Sequence, residues 1–156
     1  MIGFWRKHFL RAELVLAVVL TAALVAWSER GGAQVLDTVL PQDRGAFYGA
    51  IAAVFGSLLG FAITAASVVV ALSGSDGLRP VRESPYYRDL WDVFVSAMQV
   101  LGIATVVSLG ALLLDRGPAL NYLVLYAVAF VTLLSTLRVA RCIWVMENII
   151  RIVARA

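Results

Sequence analysis

The chain has 156 residues, of which 62% are apolar and 15% charged, with a mean hydropathy of +0.89. Soluble domains average about 45–50% apolar and 25% charged residues, so a water-soluble globular fold is excluded and an integral membrane protein of one domain is expected. The net charge of +3 and pI near 9.4 do not point to nucleic acid, because the basic residues sit mainly at the flanks of apolar tracts, where a bilayer accounts for them. The single cysteine, Cys142, excludes an internal disulfide and a paired-thiol redox motif.

The chain opens with MIGFWRKHFLRAE, in which Arg6, Lys7 and Arg11 alternate with Phe4, Trp5, Phe9 and Leu10, a pattern suited to lipid headgroups. A first span is expected over 12–28, closed by Trp27 at an interface. A basic start followed by an apolar run also describes a signal peptide, with Gly31-Gly32-Ala33 before Gln34 as the cleavage site, although the apolar run is long for one. The 28–44 stretch reads as a loop holding a short apolar edge at helical spacing, Val35, Leu36, Val39 and Leu40, ended by Pro41, which fits a surface helix or a plug over the outer mouth.

The second span, 45–72, has no charge and no proline. Gly49, Ala53, Gly56, Gly60, Thr64 and Ser67 recur every three or four residues and fall within an arc of roughly 80° at about 100° per residue, so one side of this helix is smooth. Gly56 to Gly60 is a literal GxxxG, which allows membrane helices to approach backbone to backbone. This helix is expected to be the packing centre, with the smooth face either buried against neighbours or lining a pore.

The 73–85 segment, rich in Gly, Pro and charge, is a connection, with Ser84 and Pro85 as N-cap and first residue of the next helix. The third span occupies 88–114, with Tyr86, Tyr87 and Trp91 as interfacial aromatics and Arg88 placed to pair with Asp92. Gln99 lies well inside it, one turn after Ser96, and reads either as a source of an interhelical hydrogen bond or as part of a wetted path with Thr64 and Ser67. Asp115-Arg116-Gly117-Pro118 permits only an antiparallel hairpin into a fourth span, 119–140. The last helix continues as a moderately amphipathic extension, 141–156; its Arg141, Arg151 and Arg155, with Arg138 just before it, are expected to rest on anionic lipid headgroups together with Arg6, Lys7 and Arg11.

The amino terminus, the 73–90 segment and the carboxyl-terminal extension carry 3, 3 and 4 basic residues, against 2 and 1 in the opposite loops. The positive-inside rule then places both termini in the cytoplasm, in a multi-pass arrangement suited to a bacterial inner membrane. The predicted fold is an all-α polytopic four-transmembrane-helix bundle with short loops, forming a single domain over 1–156.

Catalytic chemistry is scarce. His8 has no acidic or cysteine neighbour, Cys142 sits on an apolar helix side, and no metal-binding, nucleophile-elbow or phosphate-loop motif occurs. Glu13, Asp89, Asp92, Asp115 and Glu147 all fall at predicted membrane boundaries, where a charge costs little. No enzyme, cofactor or metal is therefore expected. Two functions are compatible with the pattern: a homo-oligomeric ion channel or pore-forming subunit, gated by an apolar constriction at Phe55, Leu59 or Val70, and a non-catalytic scaffold that binds a partner membrane or cytoplasmic protein through the smooth face and the basic surface.

Overall fold

The computed structural model describes residues 2–40, 44–72, 86–117 and 120–153, with side chains at all of these except 2–10, 39, 69, 72, 86–90, 145–146 and 148–153. Among the described residues there are five α-helices: α1 (Ile2–Trp27), α2 (Ala33–Val39), α3 (Arg44–Leu72), α4 (Tyr86–Leu114) and α5 (Tyr122–Val153), with a π-helical turn over Ser28–Gly32 between the first two. No strand occurs among the described residues. Four helical stretches are long and apolar enough to cross a membrane, Arg11–Thr38, Arg44–Val68, Trp91–Leu114 and Tyr122–Trp144. The protein is a multi-pass all-α four-helix membrane bundle. In hydrocarbon every backbone N–H and C=O must be paired within its own segment, which uninterrupted helices achieve.

Two boundaries depart from the sequence reading. The first span does not close into a loop at Ser28, because helix-compatible residues continue on both sides of Gly31-Gly32 and the chain bends there without stopping. Gly31 takes φ of 113°, a conformation that disfavours any side chain. At Gly32 a Cβ would lie 2.5 Å from the Trp27 indole, so only glycine lets that ring fold over the turn. The apolar edge then forms α2, whose Leu36 and Leu40 pack onto the core. The second departure is the start of the last helix, which is Tyr122 instead of residue 119: Asn121 precedes it as N-cap, its Oδ1 accepting from the Val124 N–H at 3.4 Å. The expected N-cap at Ser84 and Pro85, and Pro118, lie outside the described residues.

The helices contact one another in the series α3, α4, α5, α1. The hairpin of α4 and α5 is the centre, α3 packs along α4, and α1 packs along α5. One core cluster joins Tyr48 of α3, Ala111 of α4, and Leu125 and Val128 of α5; a second joins Phe55, Leu101, Ala104 and Val131. The most deeply buried stripe of small residues therefore belongs to α4, at Ala97, Ala104, Ser108 and Ala111. This corrects the expectation that α3 is the packing centre. A helix with neighbours on two sides buries more of its surface than one at the edge, and α3 has a single principal neighbour. What α3 turns inward is Tyr48, Ala52 and Phe55, a stripe rotated by roughly 110° from its small-residue face.

Candidate functional site

Two polar clusters lie at opposite ends of the bundle. Along α4, Ser96 and Asp115 are separated by nineteen residues, or about 28 Å of helix.

The first cluster is built around Asp115, whose side chain is 1% exposed. It follows the last residue of α4, and its N–H still bonds the Ala111 carbonyl. One carboxylate oxygen, Oδ1, accepts from Arg44 Nη1 at 3.0 Å and from the Asn121 N–H at 3.1 Å. The other, Oδ2, accepts from the Tyr48 hydroxyl at 2.9 Å. Arg44 in turn donates through Nη2 to the Gly117 carbonyl at 2.8 Å. One carboxylate thus ties the start of α3 to the turn between α4 and α5, and its charge sits beside the positive N-terminal end of α5. Nearby, the Tyr122 hydroxyl donates to Asp37 Oδ1 at 2.9 Å and fastens α2.

The second cluster is built around Glu13 of α1, also almost fully buried. Its Oε2 lies 3.0 Å from Arg138 Nε and 3.7 Å from Arg141 Nη1. Arg138 also donates through Nη1 to Ser96 Oγ of α4. One guanidinium therefore links α1, α5 and α4. At the other end of α1, the Ser28 hydroxyl donates to the Val25 carbonyl at 2.7 Å and is hydrogen-bonded to the Tyr126 hydroxyl of α5. Lipid tails are as apolar as leucine, so the hydrophobic effect does not drive helix association in a bilayer. These two polar contacts hold α1 against α5 at both ends.

The residues singled out from sequence are distributed unevenly over this frame. Gly49 and Gly56 are half-buried beside α4, where an added Cβ would stand 3.6 Å from Leu112 Cδ1 and from Thr105 Cγ2. Ala53, Gly60, Thr64 and Ser67 are exposed, and nothing lies within 4 Å of a Cβ built on Gly60. Thr64 and Ser67 donate to the Gly60 and Ile63 carbonyls of their own helix, both at 2.9 Å. Gln99 is exposed, and the interhelical hydrogen bond expected of it is made one turn earlier by Ser96. Phe55 is buried in the second core cluster with Leu59 packed on it, so neither offers a constriction on the small-residue face; Val70 is exposed.

Arg11 is exposed, as headgroup contact requires. Arg138 and Arg141 are not: their side chains, each 12% exposed, are directed at Glu13. A carboxylate buried in a neighbouring helix competes better for a guanidinium than a solvated lipid phosphate does. The side chains of Arg6, Lys7 and Arg151, and all of Arg155, lie outside the described residues. Among the described residues no three His, Cys, Asp or Glu side chains come together as metal ligands.

Sequence reasoning missed Glu13, Arg44, Tyr48 and Asp115. A signal existed for the pairing of Glu13 with Arg138. In an antiparallel four-span chain the start of the first span and the end of the last share one end of the bundle, so Glu13 and Arg138 fall at similar depth. Comparison of the chain with protein-family models, curated proteins and solved structures finds no match.

Proposed function

We propose that this protein is the subunit of a homo-oligomeric membrane channel whose copies meet through α3, in a bacterial inner membrane with both termini cytoplasmic. The observation that carries the reading is that the chain's own helices leave most of the smooth face of α3 bare: Ala53, Gly60, Thr64 and Ser67 are exposed and the 45–72 stretch holds no charge. Small-residue faces are where membrane helices approach most closely, which supports a neighbouring copy as the occupant. The four helices of one copy fill their interior with Tyr48, Phe55, Leu101, Leu125, Val128 and Val131, so a water path belongs to an axis between copies. There the hydroxyl oxygens of Thr64 and Ser67, whose protons are committed to backbone carbonyls, present acceptors to a passing cation. No catalytic role is proposed, because the buried carboxylates Glu13 and Asp115 are held by arginines.

The same back-bonded hydroxyls also favour a second reading, a non-catalytic scaffold in which α3 docks on a partner's span and the basic surface recruits lipid or a soluble protein. Measuring the mass of the purified protein in a native-like bilayer mimic, together with ion flux into liposomes, tests both readings. A multimer with flux supports the channel, a multimer without flux supports the scaffold, and a monomer refutes assembly through α3.

A further inference from the structure

Three observations concern α1. Its principal contact with the rest of the transmembrane body is with α5, along a narrow side marked by the buried residues Glu13, Ala17 and Ser28. It joins α2 through the π-turn in which Gly31 adopts φ of 113°, whereas α2 is anchored by Leu36, Leu40 and the Asp37–Tyr122 hydrogen bond. Glu13 lies eighteen residues before Gly31, so the ion pair sits about 27 Å along the helix from the bend.

We propose that α1 is an arm hinged at Gly31 and latched by the charge of Glu13, and that protonation of Glu13 releases it from α5. The proton adds to the carboxylate, and no other bond forms or breaks. Among the described residues, the groups facing Glu13 are Arg138 and Arg141 of α5, with uncharged Ser96 of α4 behind Arg138. Arg11 on α1 and Asp92, one turn before Ser96 on α4, are both exposed. Neutralising Glu13 removes the anion that both guanidinium groups share, so the contact between α1 and α5 loses its charge attraction, and Arg138 and Arg141 are left beside each other on α5 without that anion. Glu13 Oε1 is buried and has no hydrogen-bond partner among the described residues, so that oxygen is open to the proton. The lever makes a small motion sufficient: turning a 27 Å arm by roughly 10° moves its tip by nearly 5 Å, more than enough to break the 3.0 Å contact.

The test uses full-length protein in liposomes in a Cys142→Ser background, with pulsed electron-spin distances between three pairs of labelled cysteines. Leu14→Cys with Ile143→Cys reports the arm, Val19→Cys with Val35→Cys spans the bend, and Val106→Cys with Leu123→Cys reports the α4–α5 hairpin. All six native side chains are exposed. The expected result is one arm distance at pH 8, a second and longer one at pH 5, and the longer one predominating at both pH values in Glu13→Gln. The pair across the bend should change with the arm, and the hairpin pair should not change. An arm distance in Glu13→Gln equal to the wild type at pH 8 overturns the latch. An arm that moves while the pair across the bend stays fixed overturns the hinge. Movement of the hairpin pair in step with the arm overturns both, because Glu13 would then hold the whole bundle.

Discussion

Replacing Asp115 with alanine is expected to be among the most damaging single changes in this protein. The carboxylate is 1% exposed and serves three donors, Arg44 Nη1, the Tyr48 hydroxyl and the Asn121 N–H. Removing one partner of a buried ion pair costs about 3–5 kcal/mol, because the remaining charge is left without compensation. Arg44, 10% exposed, would retain the Gly117 carbonyl but lose the Asp115 carboxylate. The stranded Tyr48 hydroxyl carries a further penalty of about 1–3 kcal/mol, which is not additive with the first because both belong to one network. Asp115→Asn keeps an oxygen for one neutral donor and should lose roughly half as much. Asp115→Leu combined with Arg44→Met removes both charges and should be less harmful than Asp115→Ala alone, since replacing a buried pair by apolar groups is often close to neutral. The assay is reversible unfolding in mixed micelles with increasing dodecyl sulfate, followed by tryptophan fluorescence. An Asp115→Ala variant within about 1 kcal/mol of wild type would refute the reasoning, since such a value belongs to an exposed pair. So would a double variant weaker than Asp115→Ala.

Other substitutions separate packing within one copy from packing between copies. Gly60→Leu should leave unfolding of the single copy unchanged or slightly improved, since a Cβ there meets nothing and glycine costs about 1 kcal/mol in a helix; the same change should abolish the multimer seen by native mass measurement. Ala104→Leu, at a fully buried position between α3 and α5, should destabilise the fold by about 1–3 kcal/mol through overpacking, whatever the oligomeric state. Ser108→Ala should be neutral or stabilising by about 1 kcal/mol in the same assay, because the Ser108 hydroxyl is buried with no hydrogen-bond partner among the described residues. Gly32→Ala should lower stability, because its Cβ would stand 2.5 Å from the Trp27 ring, and it should change the fluorescence of that residue.

Composition and periodicity alone determined that this chain crosses a membrane four times as helices. Long apolar runs in a bilayer have no other means of pairing their backbone, so 45–72 and 88–114 could be read almost to the residue as α3 and α4. The bend at Gly31-Gly32 is visible in the sequence as a glycine pair but reads as a loop, because glycine signals a break without saying whether the helix resumes beyond it. Which face of α3 turns inward could not be read from its sequence. A smooth stripe is suited to close contact, yet the position of α3 at the edge of the series exposes that stripe and directs Tyr48 and Phe55 into the core. The partners of Glu13 and Asp115 were likewise decided only by tertiary structure. Each is a lone carboxylate near the end of a span, and its cost depends on whether an arginine from a helix distant in sequence arrives at the same depth. Arg138 and Arg44 do so because the chain folds back antiparallel and brings residues 13 and 138, and 44 and 115, to common ends of the bundle.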